Sequence, residues 1–215
     1  MLRVGRRMAR SQADSQPVEV AELDGVRSLY LGSDTIQSSM RLSDPDALEL
    51  AYARGMMMFL LFHAVPKDVL ILGLGGGSIA KFIYRFLENS KTTVLEINPR
   101  VIDIARSHFY LPENDARLQV IAGDGIAYLR EQQTCCDVLM LDAYDSSGVA
   151  PDMVSQDFFD HCAAVLRPQG ILAVNLWGSD KNFHIYIHGR KDLVEKGYDE
   201  KSGKHFYKLY FDEES

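Results

Sequence analysis

The chain lacks the features that would take it out of the ordinary globular class. It has no apolar stretch of the roughly 20 residues that a membrane-spanning helix needs; the longest uninterrupted run covers 56–62. Cysteine is scarce. Cys135, Cys136 and Cys162 are the only three, and their spacing gives neither a zinc site nor a disulfide framework, so buried, reduced thiols are expected. Positive charge is not in surplus either. With 23 basic against 30 acidic residues the net charge is −7. That argues against the cationic footprint of general nucleic-acid binding and suits a cationic small substrate better. Hydrophobic residues at 47% and charged residues at 25% exclude collagen-like, low-complexity and wholly disordered chains. Arg3, Arg6, Arg7 and Arg10 are not followed by an apolar core, so no secretory leader is expected, and a cytoplasmic location is.

What is present falls into four stretches. Residues 1–16 carry the arginines, then Ser11, Gln12, Asp14 and Ser15, and read as a flexible tail. Residues 17–42 read as a small β-sheet region. Strands are expected at 18–23, 27–31 and 35–42, separated by Asp24-Gly25 and Gly32-Ser33; Asp-Gly between short alternating runs is a hairpin signal. Ser43, Asp44 and Pro45 offer a cap and a first-turn proline for a helix that runs through Leu48, Ala51 and Tyr52. The Met56-Met57-Met58 run that follows reads as core filling.

The third stretch, 43–180, becomes regular from residue 69. Strands at 69–72, 93–97, 118–121, 138–141 and 171–176 alternate with helices at 78–87, 99–108, 125–131 and 155–166. Continuous apolar strands are buried on both faces, and alternation with helices means right-handed crossovers and a mostly parallel sheet. The fold class is therefore α/β, a doubly wound, Rossmann-like domain preceded by a small antiparallel region. The last stretch, 181–215, breaks the rhythm. Its apolar segments 185–188 and 205–211, around a charged 190–204, are expected to pair as an atypical antiparallel hairpin.

Candidate site residues lie at successive strand ends. Gly73-Leu74-Gly75-Gly76-Gly77-Ser78 follows a strand and opens a helix, where ligands bind in open parallel sheets. Gly73, Gly75 and Gly77 let the backbone turn sharply and a ligand approach closely. Glu96 ends the second strand, where a carboxylate can accept from both hydroxyls of a ribose. Asp124-Gly125 follows the third and is placed to meet an adenine amine. Each alone could be a solvated loop carboxylate; all three at successive strand ends favour a nucleoside site. The glycine spacing is not the dinucleotide fingerprint, and no Gly-Lys-Ser/Thr follows for a nucleoside triphosphate. S-adenosyl compounds remain.

The fourth strand runs into Asp142-Ala143-Tyr144-Asp145. Two carboxylates at the mouth of the sheet can bind a cationic amine, and one can take its proton. A primary ammonium, with a pKa near 10 as in lysine, is no nucleophile until it is deprotonated. An aspartate desolvated beside a like charge rises towards useful base strength. The other reading of Asp145 is a turn residue before the next helix.

Residues 73–78, Glu96-Ile97-Asn98, Gly123-Asp124-Gly125 and Asp142-x-x-Asp145-x-x-Gly148-x-Ala150 together resemble the polyamine aminopropyltransferases, the spermidine synthase family, over roughly 18–180. The resemblance implies transfer of an aminopropyl group from decarboxylated S-adenosylmethionine to a polyamine such as putrescine, giving spermidine and methylthioadenosine, with no metal. By the same resemblance Asp142 is the general base, and Asp145 and Tyr52 line the amine site. Gln37, Gly73, Gly75, Gly77, Glu96, Asp124 and Gly125 hold the nucleoside. It also implies a homodimer, as do exposed sheet edges; neither nucleic acid nor membrane is an expected partner. Two departures stand out: Leu74 replaces the second glycine of the family's loop, and Gly76 replaces its aspartate, which helps hold the charged end of the donor. The alternatives are an S-adenosylmethionine-dependent methyltransferase and a catalytically silent nucleoside-binding homologue.

Overall fold

The computed structural model describes residues 6–11, 17–143, 153, 155–176, 183–188, 198–199, 204–205 and 207–211. An antiparallel sheet comes first, with strands β1 (Arg6–Ser11), β2 (Val18–Leu23), β3 (Val26–Leu31) and β4 (Ile36–Arg41) in sequential order. The Asp24-Gly25 turn has both residues at positive φ, 51° and 77°, as the two-residue hairpin requires. Part of the stretch expected to be a tail is thus a strand: Arg6–Ser11 pairs antiparallel with β2, extending the sheet by one strand.

The helix expected from Ser43 onward begins later, as α1 (Ala51–Met56), with no side-chain cap at Leu50. Ser43, Asp44 and Pro45 lie in turns instead, in which the Asp44 amide donates to Arg41 and the Ala47 amide to Asp44. The carbonyls of Leu48 and Glu49 ahead of the helix accept from the Arg54 guanidinium at 2.9 and 2.8 Å. The chain then tightens into a 3-10 segment, Met57–Leu61, which buries Met57 and Phe59.

The main sheet follows the expected alternation. β5 (Asp68–Leu72), β6 (Lys91–Glu96), β7 (Leu118–Ala122), β8 (Cys136–Leu141) and β9 (Leu166–Leu176) are parallel in the order β7-β6-β5-β8-β9. The helices α2 (Ser78–Phe86), α3 (Pro99–Phe109), α4 (Gly125–Glu131) and α5 (Gln156–Val165) connect them. Three of the helices start on side-chain caps from Asn98, Asp124 and Ser155, each satisfying amides that the first turn leaves unpaired. Both faces of the central strands are covered. Val69 and Ile71 of β5 and Val138 and Met140 of β8 pack into one core with Ile83, Phe109, Val20, Leu29 and Met40. The alternate residues Leu70, Leu72, Leu139 and Leu141 pack into another with Leu129, Phe158 and Val165. The antiparallel sheet therefore shares its core with α2 and α3.

Two cations fasten that junction. Arg27 bonds Glu22 at 2.9 Å and donates to the His108 carbonyl near the end of α3 at 2.5 Å. Lys81, buried on α2, donates to the Pro45 carbonyl at 2.6 Å; burial pulls its pKa down to about 8, against the attraction of Asp46. At the other edge, β10 (Phe183–His188) pairs antiparallel with both β9 and β13 (Tyr207–Phe211). The two late apolar segments thus pair with each other as their pattern suggests, and they also extend the main sheet. The short strands β11 (Tyr198–Asp199) and β12 (Lys204–His205) pair between them. Among the described residues no helix is long and apolar enough to cross a membrane.

Candidate active site

The site forms where β5, β6, β7, β8 and β9 end at the same edge of the sheet. Backbone bonds lock the exits together: the Gly73 amide donates to Leu95 and the Asp142 amide to Leu72, both at 2.8 Å. Gly73, at φ +97°, is where glycine is indispensable. A Cβ there would lie 2.2 Å from the Asp142 carbonyl oxygen, far inside contact distance. Gly75 and Gly77 also have positive φ, 53° and 75°, and Gly77 is the N-cap of α2. Gly125 sits close on Leu72, with its missing Cβ 2.9 Å from Cδ2. The loop's glycines are thus fixed by backbone geometry and packing before any ligand is considered.

Gly76 explains the missing loop aspartate. A Cβ at that position would stand 2.7 Å from Ser38 Oγ and 2.9 Å from the Phe109 ring. An aspartate would have to displace both. The Ser38 hydroxyl, paired with Ser78 Oγ at 3.1 Å, occupies that space.

Glu96 is buried, at 8% exposure. Its Oε2 accepts from the Leu74 amide at 3.0 Å and its Oε1 from the Asn98 amide at 2.9 Å. Burial raises its pKa, and the backbone donors at Asn98, Leu74 and Ile97 oppose that rise. The carboxylate therefore ties the glycine loop to the end of β6, and with three backbone donors on its four lone-pair sites it keeps one site for a ligand hydroxyl. Asp124 is exposed and caps α4, its Oδ1 accepting from Ile126 at 2.8 Å and Ala127 at 3.4 Å. Capping and adenine binding are not exclusive, because the cap uses only Oδ1.

Asp142 is the most perturbed carboxyl of the site. Burial pushes its pKa up to about 7, opposed by hydrogen bonds from Asn175 and Tyr52, and the nearby Glu96 carboxylate adds to the rise. The Asn175 Nδ2 donates to Asp142 Oδ1 at 2.9 Å. The Tyr52 hydroxyl lies between the Asp142 carboxylate and the Gln37 carbonyl, 3.1 Å from the latter. So Gln37, Tyr52 and Asp142 do meet, although Gln37 enters through its backbone. A small cavity beside them is lined by Ser38, Tyr52, Gly73, Leu74, Ser78 and Asp142. Asp145 lies outside the described residues; among the described residues Glu96 is a like charge that acts on Asp142.

Asn175 was missed by sequence reasoning. The signal was a lone polar residue near the end of the apolar fifth strand, and it is buried at 7% exposure, with Oδ1 unpaired among the described residues. Replacing Asn175 by leucine removes a donor to the charged form of Asp142. The apparent pKa of the pH–activity profile is then expected to move up, by about one unit if the bond is worth about 1.5 kcal/mol. An unmoved midpoint would show that Asn175 does not tune the carboxyl.

A carboxyl poised near neutrality can take a proton from a bound group, and a glycine loop with acidic residues at the next two strand ends can hold a nucleoside. Among the described residues no cluster of metal-ligating side chains is found.

Known proteins with this pattern agree on a family. A model of the spermine/spermidine synthase domain matches residues 49–184. The polyamine aminopropyltransferase of Chromobacterium violaceum is 40% identical over 88% of this chain and 73% of that protein. That of Neisseria meningitidis serogroup A is 38% identical over 85% of this chain and 70% of that protein. In structure, a probable spermidine synthase from Corynebacterium glutamicum superposes with a TM-score of 0.69 at 21% identity, over 78% of this chain and 63% of that one, which is agreement in fold. With the family model covering most of the parallel sheet and the two relatives covering most of the chain, the protein belongs to the spermine/spermidine synthase family of transferases.

Proposed function

We propose that this chain transfers the aminopropyl group of decarboxylated S-adenosylmethionine to a polyamine such as putrescine, releasing methylthioadenosine. The observation that carries the reading is Asp142, a desolvated carboxyl with a pKa of about 7 at the end of β8, beside the glycine loop that begins at Gly73. The amine nitrogen attacks the aminopropyl carbon next to sulfur, in line with the departing thioether. The sulfonium already activates that carbon, so the protein's work is to position the pair and remove a proton. Asp142 takes the proton from the ammonium, with Tyr52 and Asp145 at the amine. Glu96 holds a ribose hydroxyl, Asp124 the adenine amine, and the loop of Gly73, Gly75 and Gly77 lets the donor lie against the backbone, with Gln37 and Gly125 bordering it.

Glu96→Ala is expected to weaken methylthioadenosine binding by about 1–3 kcal/mol, the scale for losing charge-assisted hydrogen bonds. Part of that loss comes from freeing the Leu74 amide. Unchanged affinity would remove the ribose role.

We also propose that two copies pair through the antiparallel sheet, whose outer strands β1 and β4 leave backbone groups open to edge pairing; light scattering tests this. For the function itself, calorimetric titration separates the readings. Methylthioadenosine and decarboxylated S-adenosylmethionine are expected to bind, and S-adenosylmethionine to bind more weakly. The reverse preference would favour methyl transfer, and binding without turnover of any amine would favour a silent homologue.

A further inference from the structure

Lys81 carries a charge that the proposed chemistry does not use, and it lies in the interior at 2% exposure. Burying an ammonium is costly unless its protons find acceptors. One proton goes to the Pro45 carbonyl at 2.6 Å and another to the Met40 sulfur at 3.2 Å. A methionine would fill nearly the same volume without the desolvation cost, so packing alone does not account for a lysine here. What the ammonium adds is directed bonds.

Those bonds act on the start of α2, directly after the glycine loop. The Lys81 amide donates to the Gly77 carbonyl at 2.9 Å, and the Gly77 amide to Leu74 at 2.8 Å. Ser78 and Lys81 stand three residues apart, as neighbours on one face of the helix, and both reach the chain from Ser38 to Pro45. The Ser78 hydroxyl donates to the Ser39 carbonyl at 3.3 Å. Its single proton is then spent, so at 3.1 Å it accepts from the Ser38 hydroxyl. Lys81 adds Met40, the next residue of β4, and Pro45 beyond the strand. The first turn of α2 is thus seated on β4 where Ser38 meets the loop. Ser38 Cβ stands 3.6 Å from the place of a Gly75 Cβ, and Ser38 Oγ 2.7 Å from that of Gly76. Ser38 and Ser78 also line the cavity beside Asp142.

We propose that Lys81 is a positioning residue for the nucleoside: its ammonium locks the first turn of α2 onto β4 and so presets the glycine loop on which the donor lies. The proposal rests on the reading of that loop as the donor's site. A loop ordered before the donor arrives does not charge its ordering to binding. Without the ammonium only the serine hydroxyls hold the turn. The loop then spends part of its time in other positions, and apparent affinity falls by the fraction that remains competent. Asp142 keeps its own bond to Asn175, so the base stays in place and the loss is confined to the donor.

The test combines methylthioadenosine titration by calorimetry with steady-state kinetics on decarboxylated S-adenosylmethionine and putrescine, at pH 7, in wild type, Lys81→Met, Lys81→Gln and Arg27→Met. Arg27 is the control. It too is a buried cation that fastens the antiparallel sheet to the main domain, but through the His108 carbonyl near the end of α3. Lys81→Met is expected to weaken methylthioadenosine binding at least about tenfold and to raise the donor KM by a similar factor. Its kcat at saturating donor and its amine KM are expected within about twofold of wild type. Lys81→Gln, a shorter and neutral donor, is expected to fall between the two. Arg27→Met is expected to melt earlier with its donor KM unmoved. In the free wild-type protein, hydrogen exchange is expected to show the Gly77 and Lys81 amides protected like those of β5. A donor KM unchanged in a folded Lys81 variant would overturn the proposal. So would an equal rise in Arg27→Met, or unprotected Gly77 and Lys81 amides in the free protein. A wild type that binds no methylthioadenosine would overturn the donor-site reading and this proposal with it, whereas normal wild-type binding with unaffected variants would overturn the proposal alone.

Discussion

Asp142→Asn is expected to cut amine turnover by about 10²–10⁴, the usual loss when a general base is removed, while methylthioadenosine affinity stays nearly intact. The substitution preserves shape. An asparagine oxygen still accepts from Asn175 Nδ2, which lies 2.9 Å from Asp142 Oδ1, and only the capacity to accept the substrate proton is gone. In the wild type, kcat/KM is expected to rise with pH through about 7, where the buried carboxyl ionises, and the variant loses that step. The same burial has a stability consequence of known sign. Asp142 is raised in the folded protein from 3.8 to about 7, so the folded state binds its proton more tightly than the unfolded chain. Its contribution is fully present below about pH 4 and is lost as pH rises through about 7. Asp142→Asn carries no charge to bury. It is therefore expected to melt above the wild type at pH 8, by up to a few kcal/mol, and to approach it at pH 5. Thermal denaturation at the two pH values checks this, and a less stable variant at pH 8 would contradict the burial argument. A residue that costs stability where it is ionised is the signature of a group kept for chemistry.

Gly73→Ala is expected to have the largest effect on the architecture of the site. The added methyl would be placed 2.2 Å from the Asp142 carbonyl oxygen, on a backbone at φ +97° that side chains rarely adopt. The exit of β5 must then separate from the exit of β8, carrying Asp142 away from Tyr52 and Asn175. Loss of both nucleoside binding and turnover is expected, with destabilisation of at least about 1–3 kcal/mol from the strained backbone alone. Gly75→Val makes the milder comparison, because a Cβ at Gly75 meets Ser38 Cβ at 3.6 Å, an ordinary contact. Its burden is the positive φ and a side chain in the donor's path, so binding should fail while much of the fold survives. If both variants bind methylthioadenosine normally, the loop is only a turn.

The sequence made the parallel sheet legible because its strands are continuous apolar runs that alternate with helical stretches; the caps at Asn98, Asp124 and Ser155 came with the structure. It was less informative where turns compete with helices. Ser43-Asp44-Pro45 looks like a helix start, yet Asp44 and Ala47 close turns on Arg41 and Asp44, and α1 waits until Ala51. β1 was hidden because an arginine-rich segment shows no apolar alternation, and its pairing is with β2, a contact that no local pattern announces. In the site, Glu96, Asp124 and Asp142 were visible as carboxylates at strand ends. What surrounds Asp142 was not: Asn175 comes from β9, Glu96 from β6 and Tyr52 from α1, and only the fold brings them together. The absence of a loop aspartate was visible, but its physical reason, the Ser38 hydroxyl and Phe109 ring against Gly76, is tertiary.

The most direct measurement is product analysis with the purified protein, decarboxylated S-adenosylmethionine and putrescine near pH 8, alongside Asp142→Asn. Aminopropyl transfer predicts spermidine and methylthioadenosine in equal amounts from the wild type, and at most about one hundredth of that rate from the variant. Equal rates from the two proteins would contradict the role of Asp142. No methylthioadenosine from the decarboxylated donor, with S-adenosylhomocysteine formed from S-adenosylmethionine and a methyl acceptor instead, would contradict the transfer itself.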